Sequence, residues 1–250
     1  MALFLKANWE DIIMANYEIN PEILLPFLPK GVEIDLFHNK CYVSLVGFLF
    51  KNTKIFNIPI PKFGTFEEIN LRFYVFKKEN NKIKRGVVFI NETIPYPVVA
   101  WVANKLYKEH YTVVPTKHTK QIFEHTQNIK FEWEKEKKWH SIAVTSSNQS
   151  ESMKTDSLEQ FIFEHYFGYT KVNDRKTEEY KLQHPSWKTR KVIDYKITCD
   201  FENMYGKSFA ILNKTEPEGV FIADGSSVGI EWKRNKLKLP TVHKKRNSNF

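Results

Sequence analysis

Cysteines and long apolar runs are scarce in this sequence. Only two cysteines occur among 250 residues, Cys41 and Cys199, and they lie far apart with no metal-binding or redox spacing around either. This excludes a disulfide framework and fits a reducing compartment. The longest strongly apolar run without charge covers residues 41–50, which is too short to cross a membrane as a helix. Because the first residues also lack the apolar stretch of a signal peptide, we expect a cytoplasmic protein with no membrane partner.

The common signatures of metal and nucleotide chemistry are also missing. The eight histidines show no zinc-binding spacing, and the sequence contains neither a P-loop nor a dinucleotide-binding glycine fingerprint. Neither cysteine lies in a recognisable nucleophile context, and residues 225–227 are interpreted as an ordinary turn. The sequence therefore predicts no metal site and no cofactor.

Positive charge is concentrated at one end of the chain. The formal net charge is +9, and seven basic residues without any acid lie in residues 233–250, which leaves +2 for the rest. We expect residues 1–233 to form a single domain and residues 234–250 to form a basic, flexible tail. Since the body has no basic face, the sequence predicts no nucleic-acid partner; a tail that contacts an acidic partner is the weaker alternative, and a homo-oligomer is possible.

The apolar residues are arranged mainly in the pattern of β-strands. Apolar residues make up 42% and aromatic residues 15% of the chain, enough for a full core or an aromatic-lined cavity. Strands are predicted over 32–37, 41–51, 68–76, 86–91, 111–114, 119–125, 128–134, 138–146, 168–172, 177–182, 191–199, 207–212, 219–224 and 228–233. Helices are predicted over 20–28 and 97–108, from a capping box at 156–159 or 157–160 up to Gly168, and as a short turn at 200–205. Tight turns at 38–40 and 173–174 predict hairpins between the strands on either side, and residues 146–152 are predicted as a loop. The fold class is mostly β (α+β), with two or three peripheral helices.

One predicted strand carries an unusual polar face. Over residues 68–76, alternate side chains share a face, so one side is apolar and the other presents a carboxylate, an amide, a guanidinium and a phenol. These four side chains are those of Glu68, Asn70, Arg72 and Tyr74. A half-buried strand with its polar side in water accounts for this pattern most simply. The alternative is that the polar side lines a cavity in which Arg72 holds a carboxylate in bidentate fashion.

A second cluster of polar and aromatic residues lies between residues 164 and 187. His165 falls on the apolar stripe of the predicted helix, which is more often the position of a buried core histidine than of a catalytic one. His184 precedes a proline and is expected in extended backbone. Together with Tyr169, these histidines predict a polar pocket wall.

Several motifs in these segments resemble a known family. They are Pro26-x-Leu28-Pro29-x-Gly31-x-Glu33-x-Asp35, Phe66-x-Glu68-x-Asn70-x-Arg72-x-Tyr74-Val75, Ala100-Trp101-Val102-Ala103 with Leu106-Tyr107, Glu164-His165-Tyr166-x-Gly168-Tyr169-Thr170, and His184-Pro185-x-Trp187. The sequence resembles the YqjF-like family, a bacterial group of unknown function, from about residue 8 to residue 232. The resemblance implies an acetoacetate decarboxylase-like fold, in which a strongly bent antiparallel sheet closes on a central cone-shaped barrel.

The resemblance does not extend to the Schiff-base chemistry of acetoacetate decarboxylase. That enzyme uses an adjacent lysine pair, whereas the corresponding stretch here contains Lys108 alone beside Glu109. The arginine that the decarboxylase carries near its N-terminus falls at Glu10. We therefore expect a pocket that binds a small oxygenated or carboxylate-bearing molecule. The alternative is a cofactor-independent enzyme in which Glu68 or a histidine is the general acid or base and Arg72 stabilises an enolate.

Overall fold

A computed structural model describes residues 3–97, 99–100, 111–231 and 235–237, and strands dominate these residues. The strands are β1 (Leu3–Glu18), β2 (Glu33–Ile34), β3 (Tyr42–Ile55), β4 (Ile58–Pro59), β5 (Phe66–Glu79), β6 (Lys82–Ile94), β7 (Tyr111–Val113), β8 (Thr116–Ile122), β9 (Thr126–Lys135), β10 (Lys138–Ser152), β11 (Phe167–Asn173), β12 (Lys176–Gln183), β13 (Lys188–Thr198), β14 (Gly219–Glu231) and β15 (Asn235–Leu237). The predicted mostly-β class is confirmed.

All fifteen strands belong to one strongly bent sheet. Twelve of them follow the order β15-β12-β11-β6-β5-β3-β1-β14-β13-β10-β9-β8, while β2 pairs with β5, β4 with β3 and β7 with β6 beside this path. Almost every pairing is antiparallel; β11 with β6 and β6 with β7 are parallel. An additional pairing of β12 with β14 joins two distant parts of this order. The strands β14, β1, β3, β5, β6, β11 and β12 therefore form a closed ring, and β13, β10, β9 and β8 extend from β14 outside it.

The two faces of the ring strands bury different side chains. On β5, Ile69, Leu71 and Phe73 belong to an apolar cluster that also contains Phe131 and Trp133 of β9. The extension β13-β10-β9-β8 therefore covers the outer face of the ring. The alternate residues of β5 point to the opposite, inner face, as strand geometry requires. This explains why residues 68–75 of β5 are all buried although Glu68, Asn70 and Arg72 among them are polar.

The helices are few and short. The segment predicted as a helix over 20–28 forms two 3-10 turns, Pro21–Ile23 and Leu25–Phe27, because Pro26 provides no N–H to continue an α-helix. Helix α1 (Leu158–Phe163) begins at Ser157, which accepts from the N–H of Gln160, so the second of the two capping registers is correct. Helix α2 (Phe201–Tyr205) follows β13. Of the helix predicted over 97–108, residues 97, 99 and 100 are helical, and the others lie outside the described residues.

Several predicted strands were wrong in partner or type. The predicted tight turn at residues 38–40 is closed by a single antiparallel pair, Phe37 with Lys40, but the predicted hairpin goes no further, since β2 pairs with β5 and not with β3. Residues 207–212 lie in a 3-10 helix, because Phe209 and Leu212, three positions apart, are the residues that it buries. The predicted loop 146–152 continues β10, and the two predicted strands after 219 are the single strand β14. The hairpin of β11 and β12 is confirmed.

The C-terminal segment contributes one further strand. β15 pairs with β12 at three positions, so three of the residues assigned to the basic tail lie beside the sheet. The rest of that tail lies outside the described residues. Among the helices of the described part of the chain, none is long and apolar enough to cross a membrane.

Candidate functional site

A cavity of about 200 Å³ lies inside the ring of strands. Its walls come from β1, β3, β5, β6, β11, β12 and β14 and from adjoining segments, and most of them are apolar and aromatic. The lining residues are Phe4, Leu5, Trp9, Phe48, Phe50, Thr53, Ile55, Ile60, Phe63, Phe66, Glu68, Asn70, Arg72, Val87, Phe89, Glu92, Val99, Tyr111, His165, Phe167, Gly168, Tyr180, Leu182 and Ile230. A concave, mostly apolar space with a small set of polar groups is the usual form of a small-molecule site.

The polar groups of the cavity come mainly from two neighbouring strands. Glu68 and Asn70 of β5 are buried, and the Asn70 amide donates to Oε1 of Glu68 over 3.0 Å. Asn70 lies opposite Glu92 of β6, which is also buried and accepts a hydrogen bond of 2.7 Å from the hydroxyl of Tyr111. Glu92 was not among the site residues predicted from the sequence. The sequence gives one sign of Glu92: a carboxylate soon after the apolar run of residues 87–90. At such a position a half-buried strand normally continues its apolar pattern.

Arg72 is a buried cation without a carboxylate partner. Its exposed fraction is 9%, and it lines the cavity next to Asn70. Nη2 lies 3.4 Å from the sulfur of Met14, and Nε is buried without a hydrogen-bond acceptor. In the described part of the chain, no Asp or Glu oxygen lies within 4.0 Å of this guanidinium. A buried charge is normally paired, and no carboxylate of the described residues pairs with this one.

Tyr74 supports Arg72 but does not line the cavity. The Arg72 guanidinium lies 5.9 Å from the centroid of the Tyr74 ring. The Tyr74 hydroxyl lies 2.6 Å from Oγ of Ser44, which in turn donates to Oδ1 of Asn16 over 2.6 Å. The phenol is thus engaged in a buried network on the neighbouring strands, and its ring forms a surface beside the guanidinium.

His165 reaches the cavity from a loop rather than from a helix. Helix α1 ends at Phe163, so the predicted helical stripe does not extend to residue 165, yet His165 is 6% exposed and lines the cavity. Its Nε2 lies 3.2 Å from Oδ2 of Asp35, which also forms an ion pair with Nε of Arg85 at 3.1 Å. Burial lowers the pKa of His165, against the opposing effect of Asp35.

The two other predicted site residues lie elsewhere. Tyr169 is buried in the outer apolar cluster, where its hydroxyl donates to the carbonyl oxygen of Lys84, and burial raises its pKa. His184 lies in a shallow outer groove, stacked on Trp187 with 4.0 Å between ring centroids. The structure therefore brings together Glu68, Asn70, Arg72 and His165 at the cavity, and leaves Tyr74, Tyr169 and His184 outside its lining.

Other candidate nucleophiles are not placed for covalent chemistry. Burial raises the pKa of the Cys41 thiol to about 12. Residues 225–229 have the letters of the G-x-S-x-G motif, but they lie inside β14 rather than at a strand-to-helix turn, and Ser227 is exposed. The turn interpretation of residues 225–227 was therefore wrong. Lys108 lies outside the described residues.

Solved structures of similar fold are acetoacetate decarboxylase-like proteins. An acetoacetate decarboxylase-like enzyme from Sphingomonas wittichii RW1 superposes with a TM-score of 0.65 at 8% identity, covering 94% of each chain. The enduracididine biosynthesis enzyme MppR, in complex with pyruvate, superposes with a TM-score of 0.62 at 9% identity, covering 94% of this chain and 91% of that chain. At these identities the likeness concerns the fold, which is that of the acetoacetate decarboxylase-like proteins.

Sequence comparison identifies the family. The uncharacterized protein YqjF of Bacillus subtilis (strain 168) is 24% identical over 182 residues, which are 72% of this chain and 73% of that protein. The model of the DUF2071 family, described as an uncharacterized conserved protein, matches residues 6–227. The protein therefore belongs to the DUF2071 family and has an acetoacetate decarboxylase-like fold.

Proposed function

We propose that this protein binds a small organic molecule that carries a carboxylate on an apolar body, and that Arg72 is the carboxylate-binding group. The observation that carries this proposal is the guanidinium of Arg72, buried in the cavity wall without an anionic partner among the described residues. An arginine fork matches a carboxylate in geometry and charge.

The rest of the cavity supports a particular kind of ligand. Phe48, Phe50, Phe66 and Phe89 line the same space as Arg72 and provide apolar, aromatic walls. A ligand with an anionic head and an apolar or aromatic body would therefore pair its charge with Arg72 and bury its apolar part against the phenylalanines. The complex of the similarly folded MppR with pyruvate, itself a small carboxylate, is consistent with this assignment.

Replacing Arg72 by methionine is expected to abolish carboxylate binding while leaving the fold intact. Methionine fills a similar volume without a charge, and removing an unpaired buried charge is neutral or stabilising. Affinity for an aromatic carboxylate such as phenylpyruvate should fall at least tenfold, on the order of 1.4 kcal/mol or more. Isothermal titration calorimetry measures the affinity, and urea unfolding measures the stability.

Arg190→Met provides the matched control. Arg190 lies outside the cavity and pairs through Nε with Asp224. This variant should lose up to about 1 kcal/mol of stability and bind phenylpyruvate as the unchanged protein does. If R72M keeps its affinity, or if the unchanged protein binds no member of a panel of small aliphatic and aromatic carboxylates, the proposal is wrong.

A second candidate function is a cofactor-independent acid–base enzyme acting on the same class of small organic acid. The specific observation in its favour is the presence of two buried carboxylates, Glu68 and Glu92, on adjacent strands beside Arg72. Such groups can transfer protons to and from a bound substrate. Following a bound carboxylate by NMR distinguishes the two functions, because a binding protein returns the compound unchanged and an enzyme does not.

A further inference from the structure

The loop that carries His165 is fixed by main-chain hydrogen bonds on both sides. The N–H of Tyr166 donates to the carbonyl oxygen of Arg85 on β6, and the carbonyl oxygen of Tyr166 accepts from the N–H of Leu182 on β12. The N–H of Asp35 donates to the carbonyl oxygen of Tyr74 on β5. The histidine and its carboxylate partner are therefore positioned by the backbone of the ring strands, which limits the freedom of both groups.

The partners of His165 determine which ring nitrogen carries the proton. Asp35 is an ionised carboxylate that pairs with Arg85, and a carboxylate oxygen only accepts hydrogen bonds, so Nε2 of His165 is the donor across the 3.2 Å contact. In the neutral imidazole, Nδ1 then holds a lone pair. This Nδ1 is buried and has no hydrogen-bond partner among the described residues.

The imidazole ring of His165 and the guanidinium of Arg72 both lie in the wall of the cavity, beside the ring of Tyr74. Both side chains contact this ring, with the Arg72 guanidinium 5.9 Å and the His165 ring 4.8 Å from its centroid. Asp35, His165 and Arg72 thus provide a carboxylate, an imidazole and a guanidinium in this order. This resembles the arrangement in which a histidine acts as a general base. We propose that His165 is the general base for enolisation of a 2-oxo acid bound at Arg72, and that Asp35 is its positioning residue.

This inference rests on the proposed function and adds a substrate class and a reaction step to it. The carboxylate of the 2-oxo acid pairs with Arg72. Nδ1 of His165 removes a proton from the carbon next to the carbonyl group, and the C–H electron pair forms the carbon–carbon double bond of an enolate. The π electrons of the carbonyl move to its oxygen, whose charge Arg72 stabilises, and the imidazolium is stabilised by Asp35. The Nδ1–H of the imidazolium exchanges its proton with solvent water, and transfer of the new proton, or of a deuteron in D₂O, from Nδ1 to the same carbon regenerates the 2-oxo acid and neutral His165.

Deuterium exchange tests this step directly. The unchanged protein is incubated in D₂O with 4-phenyl-2-oxobutanoate, and the methylene signal next to the carbonyl is followed by ¹H NMR. We expect one of the two methylene hydrogens to exchange selectively, since a base held on one side of the substrate removes only one of them, whereas exchange in bulk solvent is unselective. Calorimetry on the same sample measures binding, so a failure of binding is distinguished from a failure of exchange.

Three variants locate the base. His165→Gln should lower the exchange rate at least a hundredfold, within the usual contribution of a general base, and Asp35→Asn should lower it at least tenfold; both should retain binding because Arg72 is intact. His118→Gln is the matched control, since His118 lies 3.2 Å from Asp11 in a comparable pair outside the cavity. This control should exchange at the rate of the unchanged protein.

The pH profile separates a catalytic role of His165 from a structural one. The charged groups acting on His165 are Asp35, Arg85 and Arg72, while the neutral rings of Tyr74 and Phe161 pack against it. The selective exchange should decline as the pH falls and His165 becomes protonated, and the residual exchange of H165Q should lack this decline. Binding without selective exchange by the unchanged protein, or selective exchange that persists in H165Q, would overturn the proposal and leave the carboxylate-binding function standing. Absence of binding of 4-phenyl-2-oxobutanoate would overturn this inference alone, and absence of binding of every carboxylate in the panel would overturn both.

Discussion

Gly225→Ala is expected to destabilise the protein by about 2–5 kcal/mol, because the backbone of β14 leaves no room for a side chain there. Gly225 has a φ of +79°, and a Cβ at this position would overlap the carbonyl oxygen of Trp9 on the neighbouring strand. A left-handed backbone costs an alanine about 1–2 kcal/mol, and an overpacked contact typically adds about 1–3 kcal/mol. Urea unfolding followed by tryptophan fluorescence measures the loss.

Gly206→Ala separates these two contributions. Gly206 also has a positive φ, of +100°, but no atom lies within 4 Å of the position of its Cβ. It should therefore show the backbone cost alone, about 1–3 kcal/mol. A G225A variant that is no less stable than G206A would contradict the close approach of β14 to β1. Since Trp9 lines the cavity, ligand affinity should also change in G225A and not in G206A.

The free energy of unfolding is expected to fall as the pH decreases from about 7.5 to about 5.5. Burial lowers the pKa values of His140, His165 and His184 below the usual 6.5. A histidine with a lowered pKa is neutral in the folded chain and binds a proton more readily when unfolded. The stabilisation is therefore complete at pH values above the pKa that the histidine has in the unfolded chain. It is lost as the pH falls below that pKa, by at most about 1.4 kcal/mol per histidine at one pH unit below.

His140 provides the most direct check of this pH dependence. Its Nδ1 accepts from the N–H of Asp200 over 3.2 Å, a bond that protonation of Nδ1 would remove. In His140→Gln, the slope of stability against pH should decrease, whatever the absolute stability of the variant. His125→Gln is the control, because the His125 side chain is 84% exposed and its replacement should leave the slope unchanged. Equal slopes in H140Q and the unchanged protein would contradict the expectation.

Alternating apolar residues were sufficient to predict the fold class and most strands, because side chains repeat with a period of two in a strand and not in a helix. Partners were predictable only where a short turn determines them, as between β11 and β12. The pairing of β2 with β5 depends on contacts between residues about forty positions apart, and no local pattern encodes it. The segment 207–212 was predicted as a strand and is a 3-10 helix. It has only two buried residues, three positions apart, and two positions are too few to distinguish a helical period from that of a strand.

The candidate site was likewise predictable from the sequence only in part. Glu68, Asn70 and Arg72 share the inner face of one strand, so their common location followed from alternation. Tyr74 shares that face, but its hydroxyl is engaged by Ser44, which the sequence of β5 does not reveal. In the sequence, His184 lies among aromatic residues as His165 does, and both were predicted to belong to one pocket wall. In the structure, stacking on Trp187 holds His184 in the outer groove. The pairing of His165 with Asp35 joins residues 130 positions apart and required the structure.

The pairings that join β11 to β6 and β12 to β14 have a consequence for how a ligand enters the cavity. The hairpin of β11 and β12 is joined to the ring by two residue pairs with β6 and two with β14, far fewer than join β1 to β3. Local opening follows the segments with the fewest backbone hydrogen bonds, so amide hydrogen exchange should be fastest at these joints. Phe167 and Leu182 of this hairpin line both the cavity and the outer groove. Local opening of the hairpin on the microsecond timescale or slower would thus connect the two spaces. Ligand association would then be limited by the rate of this opening rather than by diffusion.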